Sequence, residues 1–356
     1  MHPFKFVLAV LVSVILASCG GGGSDLPTKP QFAAQVTFGD SLSDIGSYRV
    51  STLESLLSGL GLGTNLGQFS INAAPGIPVN WTELTAASLG LPAPCAAATG
   101  GFGTARNFHP GCFGYAQGGA RVTDGAAVAT GGVFTGAMLE PVVVQIANHL
   151  AASGNVFSGN ELVLVMAGAN DVFAQTDSVG PGFPAASAVA AVQTAASELA
   201  VAVKTQIIAN GARFVVVANV PYIAGTPRIT SMADPVARAA AADLAETLVT
   251  AFNTRLAAEL PESANVLNVD AYAVSKDQIL NPARFLLTNV TDTACDLTTP
   301  FPNPLGSSLL CNASNLKPGL SPEVHYLFAD NIHPTPYGHS LFAQFVMQLM
   351  TVKGWF

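Results

Sequence analysis

The chain has 356 residues, half of them hydrophobic and only 10% charged, with a net charge of −8 at pH 7. Such a balance excludes a disordered chain, which needs low hydrophobicity and high charge. It also argues against nucleic acid as a partner, because no run of Lys and Arg exists to meet phosphate.

In chain order, the first segment reads as an address. Residues 1–19 are MHPFKFVLAVLVSVILASC. Lys5 precedes an apolar run from Phe6 to Ala17, which has the plan of a secretion signal and falls short of the roughly 20 residues of a spanning helix. Leu16-Ala17-Ser18-Cys19 resembles the bacterial lipoprotein signal box, which implies cleavage before Cys19 and lipid on its sulfur and new amine. The glycines that follow read as a flexible tether. No aspartate follows Cys19, so the expected destination in a Gram-negative cell is the outer membrane, with plain secretion as the alternative. The expected division is a signal peptide over 1–18, a tether over 19–30 and one domain over 31–356, giving a lipid-anchored monomer.

Four further cysteines, Cys95, Cys112, Cys295 and Cys311, make an even set. In an exported chain that points to disulfides. Of three possible connectivities, the local pairing Cys95–Cys112 and Cys295–Cys311 is expected, because both enclosed loops lack a periodic apolar pattern of their own. No Cys-x-x-Cys spacing supports zinc, and no metal is expected.

Short apolar or β-branched runs at Gln35–Phe38, Glu161–Ala167, Arg213–Val220 and Val266–Val269 read as strands. Helical periodicity covers Trp81–Leu89, Pro141–Ala152, Ala185–Asn210, Pro235–Leu260 and Pro336–Lys353. The continuous runs LVLVMA and FVVVANV suit parallel strands covered on both faces. The alternation predicts an α/β chain: a three-layer α/β/α, flavodoxin-like fold around a mainly parallel sheet. Thr99–Thr135 and Phe285–Tyr326 carry no such pattern and read as excursions above the sheet. The second of these leads into the segment Ala329–Thr335 and is expected to act as a stapled lid controlling substrate choice.

Ligands of open parallel sheets sit beyond the carboxyl ends of the strands. Four polar segments occupy such positions. Gly39-Asp40-Ser41 follows the first strand and puts a hydroxyl at a turn. Gly118-Gly119 would let a backbone N–H approach a ligand. Asn170, after Gly168-Ala169, offers a side-chain donor to a developing oxyanion. Asp330 and His333 are spaced for a carboxylate to meet Nδ1 and leave Nε2 free as a base. Each alone has a structural explanation as a cap, a turn or a surface group. Ser340 in Gly-His-Ser lacks the second glycine of a nucleophile elbow, and His109 and His325 read as surface residues.

Together, in the order Ser, Gly, Asn, Asp-x-x-His, the segments FGDSLSD, YAQGGA, GAND and DNIHPT closely resemble the blocks of the SGNH hydrolases, or GDSL esterases and lipases. The resemblance runs from about Val36 to Phe345. It implies Ser41 as nucleophile, Asp330 and His333 as its partners, and an oxyanion hole from the N–H groups of Ser41 and Gly119 with Asn170. Gly118, one residue away, stays open as the alternative donor. It further implies a cofactor-free carboxylester hydrolase working through an acyl-enzyme on lipid or short-acyl esters. The alternatives are a polysaccharide O-acetyl esterase, or a surface-binding protein that keeps the fold without catalysis.

Overall fold

A computed structural model describes residues 31–126, 135–180 and 182–356. The expected signal segment, Cys19 and the expected tether lie outside the described residues. The central sheet is parallel, in the order β1 (Ala34–Gly39), β4 (Glu161–Met166), β5 (Phe214–Ala218), β6 (Val266–Val269). Two smaller pairings stand apart from it: a hairpin of β2 (Ala98–Gly101) with β3 (Thr104–Phe108), and β7 (Asn289–Thr293) beside β8 (Tyr326–Phe328).

Side-chain alternation along the strands divides the core in two. Val36, Phe38, Val163, Val165, Val215 and Val217 face one way. On that side they meet α3 (Val142–Ala152), α4 (Ala169–Ser178), α5 (Ala185–Ala202) and α7 (Pro235–Glu259). Leu162, Leu164, Met166, Val216 and Leu267 face the other layer, built chiefly from α2 (Trp81–Ser88) and α9 (Pro336–Val352). Both faces of the sheet are covered, which is why its strands lack polar alternation. The three-layer α/β/α expectation is what the structure shows.

Local chemistry sets the ends of these helices. Asn80 and Glu83 form a reciprocal capping box at the start of α2. Thr335 caps α9 ahead of Pro336, which has no N–H to leave unpaired. The segment expected as one helix over 185–210 is α5 followed by a π-helical turn, Val203–Ile208. By length and composition 185–208 is apolar enough to cross a membrane, but Val192, Leu199 and Ile207 on its inner face are buried in the core. Shorter helices unannounced by periodicity are α1 (Ser51–Gly59), α6 (Pro227–Thr230) and α8 (Ala271–Leu280).

One expectation needs correcting. Thr99–Thr135 is not simply an excursion. Thr37 N donates to Phe113 O, Tyr115 N to Thr37 O, and Gln117 N to Gly39 O. Residues 113–117 therefore run parallel to β1 as an irregular further strand, and Gly118-Gly119 falls at its carboxyl end. Both expected disulfides, Cys95–Cys112 and Cys295–Cys311, are present. The first sits immediately before this edge segment.

Candidate active site

All four polar segments meet at one end of the sheet. Ser41 Oγ lies 2.8 Å from His333 Nε2. On the other side of the ring, His333 Nδ1 lies 2.9 and 2.8 Å from the two oxygens of Asp330. Ser41, Asp330 and His333 are 6%, 4% and 5% exposed, so the contacts are shielded from bulk water.

The sequence of the Asp330 turn explains the pairing. Asp330 Oδ1 accepts from the backbone N–H groups of Ile332 and His333 at 2.9 and 2.8 Å. An Asx turn of this kind folds the three-residue spacing back, so carboxylate and imidazole meet. Asp330 Oδ2 accepts from Ser308 N at 2.7 Å. Burial pushes the Asp330 carboxyl up, but the His333 charge and these hydrogen bonds outweigh it and hold the group well below the usual carboxylate range. The Phe69 ring lies 4.9 Å from the His333 ring, and Ser70 Oγ donates to Pro334 O.

The donors around Ser41 are also accounted for. Among the described residues, the backbone N–H groups of Ser41 and Gly119 donate to nothing. Gly118 N, by contrast, donates to Asp44 Oδ2 at 2.8 Å. Asn170 Nδ2 donates to Ala120 O at 2.9 Å, which uses one of its two N–H groups. Gly118 has no room for a side chain, since a Cβ there would lie 2.2 Å from the Phe69 ring.

Asp40 and Asp44 differ although both flank Ser41. Asp44 accepts from Gly46 N, Ser47 N, Ser47 Oγ and Gly118 N. Burial pushes its pKa up, and those four donors pull against it. Among the described residues Asp40 accepts only from Leu42 N, through Oδ1, and its Oδ2 has no partner; burial pushes its pKa up to about 7.

With this geometry in view, the family model for GDSL-like lipase/acylhydrolase matches residues 36–346. The chain belongs to that family. No curated protein matches it. As a GDSL-like acylhydrolase it is an ester-bond hydrolase.

An apolar cavity of about 80 Å³ opens near the candidate site, although Ser41, Asn170, Asp330 and His333 are not among the residues that line it. Leu42, Ala169 and Ile332 line it, each the chain neighbour of a site residue, and Val274, Gln278 and Ile279 of α8 form another part of its wall. No residue of Phe285–Tyr326 lines it, so the lid expected there is not part of this cavity. That segment instead supports Asp330 through Ser308 and packs Leu309 and Leu310 into a cluster with Tyr48 and Phe69.

Several supporting residues carried no clear sequence signal. Gln145 Oε1 accepts from Gly39 N at 2.9 Å, and its Nε2 donates to Gly39 O at 2.8 Å, clamping the backbone ahead of Ser41. Its one hint was an amide, one of two with Asn148, in the apolar helix VVVQIANHL. Asp171 accepts from Val122 N and pairs with Arg121, tying the glycine segment to α4. Ser340 donates to Tyr337 O within α9. His109 faces Thr99 Oγ1, and His325 stacks on Tyr337.

Proposed function

We propose that the protein is a serine carboxylester hydrolase that cleaves esters of apolar acyl chains through an acyl-enzyme. The single observation that carries this reading is the Ser41 Oγ to His333 Nε2 contact of 2.8 Å, with Asp330 on the opposite ring nitrogen. His333 takes the Ser41 proton as the oxygen attacks the ester carbonyl. Asp330 holds the tautomer with its proton on Nδ1 and stabilises the imidazolium. The developing oxyanion is met by the N–H groups of Ser41 and Gly119 and by the remaining N–H of Asn170. Gly119 rather than Gly118 is assigned here because the Gly118 N–H is already committed to Asp44. The imidazolium then protonates the leaving alcohol, and the neutral ring activates water to release the acid.

The apolar cavity next to Leu42 and Ala169 favours an acyl chain over an acetylated polysaccharide. The signal box ending at Cys19 and the two disulfides fit export into an oxidising compartment with a lipid anchor.

The test is Ser41→Ala on p-nitrophenyl esters from acetate to palmitate. Turnover should fall by several orders of magnitude at every chain length, with the thermal transition unchanged. Turnover near that of the parent would place the nucleophile elsewhere.

A further inference from the structure

We propose that Tyr48 is a positioning residue of the oxyanion site: its buried hydroxyl holds the Gly118–Gly119 peptide so that the Gly119 N–H stays available to substrate. The proposal rests on the reading of Gly119 as a donor.

Gln117 to Ala120 form a turn closed by Ala120 N donating to Gln117 O at 3.1 Å. Gly119, at its third position, has φ +80°, while Gly118 is not in the positive-φ region. That is the type II arrangement, in which the central peptide faces opposite to its direction in a type I turn. Two adjacent glycines pay little steric penalty for either, so the side chains of the turn itself do not choose between them.

The choice decides the sign of the charge presented to substrate. In a trans peptide the C=O and the following N–H point in opposite directions. A flip of the Gly118–Gly119 peptide would turn the Gly119 N–H inward and present the Gly118 carbonyl oxygen in its place, a partial negative charge facing a developing oxyanion.

Among the described residues two side chains hydrogen-bond to Gly118, and only one of them controls this flip. Asp44 Oδ2 holds the Gly118 N–H, but that group belongs to the preceding peptide and stays in place when the central one rotates. Tyr48 Oη donates to Gly118 O at 2.8 Å, and that oxygen is the one that would move. Tyr48 is fully buried, with ring contacts to Phe69 and Phe102 that a phenylalanine would reproduce. Its hydroxyl is a separate investment in the core, and burying it is favourable only if it is bonded. Leu139 N approaches the same hydroxyl at 3.5 Å, on its accepting side.

The experiment compares Tyr48→Phe with the parent on p-nitrophenyl butyrate and measures inhibition by butylboronic acid, whose tetrahedral adduct on Ser41 places an oxygen among the same donors. The expected result is a fall in kcat of about 10- to 100-fold, part of the loss typical of one oxyanion donor. KM should stay within about twofold, and boronate affinity should weaken in step with kcat. Phe102→Leu serves as the packing control, lowering the thermal transition without that loss. Tyr48→4-aminophenylalanine returns a donor to the same place and should restore kcat and boronate affinity. Parent-like kcat and boronate affinity in Tyr48→Phe, or no recovery with the amino variant, overturns the proposal. Ser41→Ala in the same assays separates the two levels: if it keeps turnover, the underlying reading of the site fails, and not merely the role of Tyr48.

Discussion

His149 and Gln145 share the inner face of α3 and meet opposite fates. Gln145 is fully bonded to the backbone of Gly39 and Glu140. His149 is 3% exposed, neither ring nitrogen has a hydrogen-bond partner among the described residues, and the rings of Phe38, Phe113, Tyr115 and Phe157 pack around it. Burial lowers its pKa to about 4, against a smaller opposing pull from Glu161. Between that value and the ordinary 6.5 the unfolded chain binds a proton that the folded chain refuses. The stability this ring allows is complete above the unfolded value and is lost as pH falls through about 4. His149→Leu removes the titration and keeps an apolar side chain of similar reach. The expected outcome, from urea unfolding at a series of pH values, is a stability difference that moves in favour of the variant as pH drops from 7 to 4.5. A difference constant across the series would mean that His149 is not the acid-sensitive group.

At the scale of elements, the strands and long helices were readable because burial on two faces or one stripe leaves a periodic trace. The loops were not, because their order comes from partners distant in sequence. Asn72 is the clearest instance: its amide donates to Ser308 O and Cys311 O, more than two hundred residues away, and nothing local announces it. The stapled segment belongs to the same class. Its position before Asp330 was legible, but its task was not, because the decisive contact is a backbone N–H, that of Ser308. The cross-link Cys295–Cys311 closes a loop with a sequence separation of 16 and includes that residue. Replacing both cysteines by alanine should cost about 3 kcal/mol by loop entropy. It should also lower kcat, with KM little changed and the p-nitrophenyl chain-length profile keeping its shape, because Asp330 loses a fixed donor while the cavity wall is untouched. A shifted profile with kcat preserved on acetate would restore the lid reading.

Across the whole molecule, the parallel sheet delivers Ser41, the Gly118-Gly119 turn and Asn170 to one end, and α9 with the turn ahead of it brings His333 back over them. Ser41 and Asn170 were legible because each follows a strand run; Gly119, Asp330 and His333 were legible only through the segments YAQGGA and DNIHPT. The cavity beside them was not, because its wall draws on segments from Leu42 to Phe342 that only the folded chain assembles. Helix α8 supplies much of that wall. Its one sequence cue was Asp270 just after β6, whose side chain accepts from Ala273 N as an N-cap. Val274 of α8 lines the cavity and is neither part of the Ser41–His333–Asp330 set nor adjacent to it in sequence. Val274→Phe should therefore shorten the space without disturbing the reacting groups. Lost apolar burial amounts to roughly 0.8 kcal/mol per methylene, so excluding three or four methylenes lowers kcat/KM by about 50- to 200-fold. The measurement is kcat/KM across the p-nitrophenyl series: acetate should stay within about threefold of the parent, while octanoate and longer esters fall by the larger factor. An equal loss on all esters would mean that Val274 supports the site as a whole and that the acyl chain lies elsewhere.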